Sequence, residues 1–391
     1  MRYFSAQYIF TNTGAPLKRG IITTDDDGLI LKVEDTGGRL NDRALLEYYN
    51  GIIIPGMVNC HCHLELSHLK GRTKRGTGLG SFIEQIRDLR GSDDKTIETA
   101  ARQTDRLMTE EGVVLCSDIC NTEDTFSIKR NSRIKYINLI EVFGIDPSKA
   151  EKRIEEALLL KQKSEEYGIP CNIVPHSFYS VSLTLLRLLK QTGEKNSLTS
   201  VHFMESAGEK DFLLEKKGPV AESYIRSGLM PPAPETVRSH SAGVMEELTS
   251  NGNLLLVHNT FADKETISEV NSRNNTFWCL CPGSNLYIEG KLPPVQLLID
   301  SGCKLVTGTD SIASNDTISM LNEMKILQQS FPFIKLADLI EWATINGAVA
   351  LSATDTYGTI EPGKRPGLIL LSDPDLENLK LLPGTYSKRL I

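Results

Sequence analysis

Short apolar runs rich in Val, Ile and Leu alternate with longer amphipathic stretches from about residue 52 to residue 350. A continuous apolar run bounded by turn residues predicts a buried strand, and apolar residues recurring every three to four positions predict a helix. On that basis eight strands are expected: Ile53–His63, Val113–Ile119, Ile134–Val142, Cys171–His176, Thr199–Met204, Leu254–His258, Thr276–Cys281 and Lys304–Thr309. Helix-like segments separate them, among them Ser81–Arg90, Lys95–Glu111, Pro147–Tyr167, Leu183–Gln191, Ala262–Asn271 and Pro294–Ser301. Repeated βα alternation predicts an α/β fold, specifically a parallel (β/α)8 TIM barrel. An open doubly wound sheet would carry a glycine-rich phosphate turn after its first strand, and this chain has none.

Both ends of the chain read differently. Residues 1–51 show short strand-like pieces around Tyr8–Phe10, Gly20–Thr23 and Leu29–Val33, and residues 352–391 hold the apolar run Leu368–Leu371. Neither is large enough for a core of its own, so the two are expected to pair into one small β-sandwich beside a catalytic barrel of residues 52–351. The mixed, proline-bearing stretch Ser206–Pro234 is expected to be a long active-site loop.

Seven histidines occur in the chain, and five follow apolar runs: His61, His63, His176, His202 and His258. His68 and His240 do not. His61 and His63 are two apart, so on a strand their rings leave the same face, a start on a metal site. A lone histidine at a strand end is usually a hydrogen-bonded core or surface residue. The ordered set changes that reading: His202 with Glu205 three residues on, then His258, then an apolar run ending in Asp310. In a TIM barrel the active site lies at the carboxyl ends of the strands, so one rim collects all of these groups.

Composition narrows the field. A formal net charge of −7 argues against a general nucleic-acid or anionic-membrane surface. No apolar run approaches the roughly 18 residues of a membrane span, and the first residues lack the apolar core of a signal peptide. Eight dispersed cysteines read as reduced, buried thiols of a cytoplasmic protein. Cys60 and Cys62 alternate with the two histidines and are expected to pack, not to ligate.

The segments Pro55–His63, His202–Glu205, His258, Cys281–Asn285, Thr309–Ser311 and Gly358–Lys364 together resemble the metal-dependent amidohydrolase superfamily, in its branch of aminopurine deaminases. The resemblance runs over nearly the whole chain. It implies that His61, His63, His202 and Asp310 hold one divalent metal, zinc first and iron as the alternative. It further implies that Glu205 is the proton shuttle, that His258 orients substrate and water, and that Asp310 also handles a proton. Relatives with two metals use a bridging lysine after the fourth strand, and Cys171–His176 offers none, which favours a single ion. Substrate contacts are expected from His176, on the sugar, and from Phe82, Glu84, Ser284 and Asn285.

The stretch His63–Gly71 and the compact tail look most like the aminofutalosine deaminases of an alternative menaquinone route. That likeness implies removal of the 6-amino group of an adenine nucleoside, giving futalosine and ammonia, with a nucleoside as the only partner and a homodimer allowed but not required. Arg72, Lys74 and Arg75 are offered as charge for a substrate carboxylate, against the ordinary reading of a solvated loop. Rival readings share the mechanism: deamination of adenosine, S-adenosylhomocysteine or guanine, or dechlorination of triazines. The His-x-Glu deaminases are set aside, because His63-Leu64-Glu65 has no Pro-Cys-x-x-Cys to match it. A catalytically silent binding barrel would have lost Glu205 or Asp310, and both are present.

Overall fold

A computed structural model describes residues 1–40, 43–249 and 251–391. Eight parallel strands form the barrel wall: Met57–Cys62 (β1), Val113–Cys120 (β2), Lys135–Val142 (β3), Cys171–Pro175 (β4), Leu198–Phe203 (β5), Asn253–His258 (β6), Thr276–Leu280 (β7) and Lys304–Thr307 (β8). They fall into two four-stranded sheets, β1–β4 and β5–β8, each hydrogen-bonded in sequence order. Single bridges close the circle, Cys62 to Asp310 on one side and Ser177 to His202 on the other. Helices such as Gly78–Leu89, Asp94–Glu111, Ala150–Glu166, Leu183–Thr192 and Met320–Ser330 follow the strands. None is long and apolar enough to cross a membrane among the described residues.

The chain ends meet in a seven-stranded sheet that includes Arg2–Ile9, Leu46–Pro55, Leu368–Ser372 and Tyr386–Arg389. It has a small apolar core of its own, with Phe4, Ile9, Ile22, Ile53 and Leu368 in it. Here the expected first barrel strand divides. Residues up to Pro55 pair antiparallel with Leu368–Ser372, and only Met57 onward pairs with β2. The pivot is Gly56, where a Cβ would lie 2.3 Å from Val114 Cγ1 and 2.4 Å from the Pro366 carbonyl oxygen. No other residue fits that approach.

Ser206–Pro234 is not one loop. It contains the helices Ala207–Glu215 and Gly218–Arg226. The first carries a capping box between Ser206 and Glu209, and Pro219 stands in the first turn of the second. Phe212, Val220, Ala221 and Tyr179 cluster with Leu79 of the helix after β1, which fixes this pair over the barrel mouth.

Candidate active site

The rim of β1 is built for convergence. Its register with β2 slips between Asn59 and Cys62, a bulge that re-aims the residues leaving the strand. The two ring nitrogens His61 Nε2 and His63 Nε2 then lie 3.1 Å apart. Buried Asn59 fixes this edge to the end of β8: its side-chain amide donates to Thr309 Oγ1 at 2.8 Å, and its Oδ1 accepts from the Thr309 backbone at 3.1 Å. The backbone N–H groups of Thr309 and Asp310 both donate to the His61 carbonyl, at 3.1 and 3.0 Å. Gly308 permits the contact, since a Cβ there would be 2.8 Å from the His61 backbone nitrogen.

Asp310 thereby faces the imidazoles, with Oδ1 3.6 Å from His61 Nε2 and 3.3 Å from His63 Nε2. Its Oδ2 accepts from Ser284 Oγ at 2.6 Å and Ser314 Oγ at 2.7 Å. Burial alone would raise this carboxyl, but the hydrogen bond with His61 and the fields of His63 and His258 outweigh it and hold Asp310 well below the usual carboxylate range. His202 completes the group: ligand atoms of His61, His63 and His202 lie within 4.8 Å of one another. The Nδ1–H of His202 donates to the His176 carbonyl at 3.0 Å, which leaves its Nε2 lone pair free.

Burial pushes His63 and His202 well below the usual imidazole range, and His176 and His258 down to about 4. For these four rings burial favours the neutral form, the one that binds a metal. Three imidazoles, those of His61, His63 and His202, and the Asp310 carboxylate, buried and converging, fit a single divalent cation of the borderline class to which zinc belongs. β4, which His176 follows directly, supplies no lysine, and the buried Lys129 is occupied by Asp118 and Asn138. Cys60 and Cys62 are buried in the core and contribute no ligand atom to the group.

Two further groups stand over this cluster. Glu205 follows β5 and is 6% exposed; burial above all, then the charges of Glu209 and Asp310, raise its carboxyl well above the usual range. Its environment therefore favours the protonated form. Its Oε1 lies 3.7 Å from His258 Nε2. The Nδ1–H of His258 donates to Asn285 Oδ1 at 3.4 Å, while Nε2 has no partner. Met204, His258, Asn259 and Asp310 all have positive φ, from 49° to 79°, so backbone strain is concentrated at this rim.

The groups open into a cavity of about 360 Å³ lined by His63, His176, His202, Glu205, His258 and Asp310 at its base. Leu79, Phe82, Ile83, Ile86, Phe143 and Tyr224 supply apolar walls, and Arg87 and Arg90 also reach it. His176 lies within it, held by the hydroxyls of Ser177 and Ser180 at 3.0 and 2.7 Å. Phe82 is on the wall, but Glu84 is not: it turns outward to an exposed ion pair with Arg226 at 2.8 Å. Ser284 and Asn285 do not line the cavity either. They sit behind it and hold Asp310 and His258. Arg72, Lys74 and Arg75 are exposed outside it, with Arg75 paired to Asp316.

Glu141, at the end of β3, was not among the expected site residues. It is buried in the cavity wall, its Oε1 is unpartnered and 3.5 Å from His202 Nδ1, and burial pushes its carboxyl up to about 7. A carboxylate closing the apolar run Ile137–Val142 at the active rim was the available signal.

The amidohydrolase family profile matches residues 52–384. An adenosine deaminase of Helicobacter pylori is 25% identical over 333 residues, covering 82% of this chain and 79% of that one. Among solved structures, Helicobacter pylori aminofutalosine deaminase in complex with methylthio-coformycin superposes with a TM-score of 0.80 at 21% identity, covering 100% of both chains. An adenosine deaminase from Xanthomonas campestris with bound zinc gives a TM-score of 0.70 at 19% identity, over 96% of this chain and 85% of that one.

Proposed function

The chain belongs to the amidohydrolase family, and on that premise we propose that it is a metal-dependent hydrolytic deaminase acting on the 6-amino group of an adenine nucleoside. The observation that carries this reading is the convergence of His61, His63, His202 and Asp310, with Glu205 and His258 beside them, at the base of one cavity. Burial favours the protonated form of Glu205 while the imidazoles favour the ionised form of Asp310, the division of roles that an acid and a base require.

His61, His63, His202 and Asp310 hold the ion in this reading. When bound, such an ion lowers the pKa of water toward about 7 and so makes hydroxide available at neutral pH. Glu205 donates its proton to the ring nitrogen beside the amino-bearing carbon, which makes that carbon electrophilic. His258 accepts a hydrogen bond from the attacking water at its free Nε2 and orients it. Asp310 takes the water proton as the C–O bond forms, then passes it to the amine. Glu205 recovers a proton from the new hydroxyl as the carbonyl forms, the C–N bond breaks and ammonia leaves. Both carboxyl groups return to their starting states.

The finer reading is aminofutalosine as substrate, giving futalosine and ammonia in menaquinone biosynthesis, with zinc as the ion. It is supported by the apolar walls that continue the cavity beyond the imidazoles, by Arg87 on its lining as a charge for a substrate carboxylate, and by the TM-score of 0.80 to an aminofutalosine deaminase. His176 takes the sugar and Phe82 the substituent, with Glu141 as a further polar contact. The barrel, which begins at Met57 instead of residue 52 and runs to residue 351, is the catalytic unit, and the terminal segments are its support. Dispersed free thiols favour a reducing compartment, the cytoplasm.

The test is metal analysis combined with ammonia release and ultraviolet measurement of adenine-to-hypoxanthine conversion on aminofutalosine, adenosine and S-adenosylhomocysteine, and of guanine-to-xanthine conversion on guanine. The highest kcat/KM is expected for aminofutalosine, with one ion per chain. Glu205→Gln should keep the ion while turnover falls about 10²–10⁴-fold. Absence of ammonia from every aminopurine sinks the reading; adenosine as the best substrate sinks only the finer one.

A further inference from the structure

Glu209 and His240 touch no part of the cavity, yet both are buried and paired, with His240 Nε2 3.0 Å from Glu209 Oε2. The other oxygen, Oε1, accepts from two consecutive backbone N–H groups, those of Glu205 at 2.7 Å and Ser206 at 2.8 Å. A capping box needs only one of these bonds, from the N-cap residue Ser206. The second reaches back to the backbone of the proton shuttle itself. It arrives just after Met204, whose φ is 49°, so the strained turn that aims Glu205 is held from the far side.

His240 is fixed in turn. Its ring stands edge-on to Phe203, at 5.4 Å between centroids, and to Phe178 at 6.3 Å. It begins the short helical turn His240–Ala242, where the chain returns from the two helices over the barrel mouth. The excursion that leaves the barrel at Glu205 thus comes back to the same carboxylate at His240.

We propose that Glu209 and His240 are positioning residues that fix the Glu205 backbone, and with it the shuttle's place over the substrate, according to how the 206–240 excursion is seated. This rests on the deaminase reading above. A shuttle works only within hydrogen-bond reach of its target nitrogen, and a displacement near 1 Å costs about a hundredfold in rate.

The experiment uses the metal-loaded full chain with adenosine and aminofutalosine as probes. Glu209→Ala should lower kcat about a hundredfold and leave KM within about twofold and the metal content unchanged. Glu209→Gln keeps an acceptor for both N–H groups and should restore kcat to within about threefold of the unaltered chain. His240→Phe should lower kcat about tenfold and add little to Glu209→Ala, because the two act through one contact. Should Glu209→Ala fail to fold, His240→Phe decides alone.

Unchanged kcat with a lower Tm in a folded variant makes the pair a mere helix cap and overturns the proposal. So does a parallel loss of kcat and metal. Glu205→Gln is the control. If it abolishes ammonia release while Glu209→Ala and His240→Phe do not affect it, positioning fails and the deaminase reading stands; if the unaltered chain releases no ammonia, that reading fails first.

Discussion

Where β8 meets β1, the barrel is closed by two backbone bonds to the His61 carbonyl and by the Asn59 side chain locked to Thr309. Where β4 meets β5, closure is spread along the strands instead of gathered at the rim. His202 donates to the His176 carbonyl from its backbone at 2.8 Å and from its ring at 3.0 Å, with Asn172 and Asn196 bridging the strand starts. The first seam contributes His61, His63 and Asp310, and the second contributes His202. Regular ladder pairing is given up at these two places, where side chains must face inward. A cation there would fasten one half-sheet to the other.

The comparison breaks most severely at its only ionised ligand. Asp310→Ala should reduce ammonia production to background and abolish metal binding, read by turnover and elemental analysis. Next in size, chelation should lower stability by about 3 kcal/mol under hundredfold ligand excess over Kd. Amide exchange should then quicken at both seams together; quickening at one alone means the ion does not bridge them. Asn59→Ala leaves buried donors and acceptors without partners and should cost about 2 kcal/mol in urea denaturation. Asn172→Ala, which removes the one bond from Ser197 N where Asn59→Ala removes two to Thr309, should cost less.

The last contrast is a difference of sign with pH. Burial depresses His176 to about 4, against 6.5 when unfolded. The unfolded chain takes up that proton first, so stability is lost as pH falls from 6.5 toward 4. Behind the other seam, Glu323 accepts from Gly283 N and Asn315 Nδ2, but burial pushes it up to about 8, against 4.5 unfolded. Its unfolded form releases the proton first, so its contribution falls as pH rises from 4.5 to 8. His176→Gln should flatten the acid limb of the stability curve and Glu323→Gln the neutral one. Identical profiles for the two variants would break the contrast.

The periodicity of the sequence exposed the eight wall strands and the rim that gathers His61, His63, His202, His258 and Asp310, because fully buried parallel strands are written as apolar runs. The same rule hid the division at Gly56: Ile52–Ile54 are as buried in the outer sheet as Met57–Cys62 are in the barrel. The helices in Ser206–Pro234 were marked by Ser206-x-x-Glu209, a capping signal that composition obscured. Glu84 and Phe82 show where pattern stops. They are two residues apart on one helix, and rotation of that helix, set by contacts with Val220 and Tyr224, turned one to the cavity and the other to solvent. Glu141 escaped because a single carboxylate does not interrupt an apolar run.

The pairing of Ile52–Pro55 with Leu368–Leu371 has a consequence for how the molecule is made. The segment that leads into the histidine-bearing strand is translated some three hundred residues before the strand that covers one of its edges. Until then this apolar segment has an open edge, the kind of surface that recruits other chains. Deleting Leu368–Leu371 should therefore harm solubility before it harms chemistry, and synthesis of that strand is the step that covers the open edge.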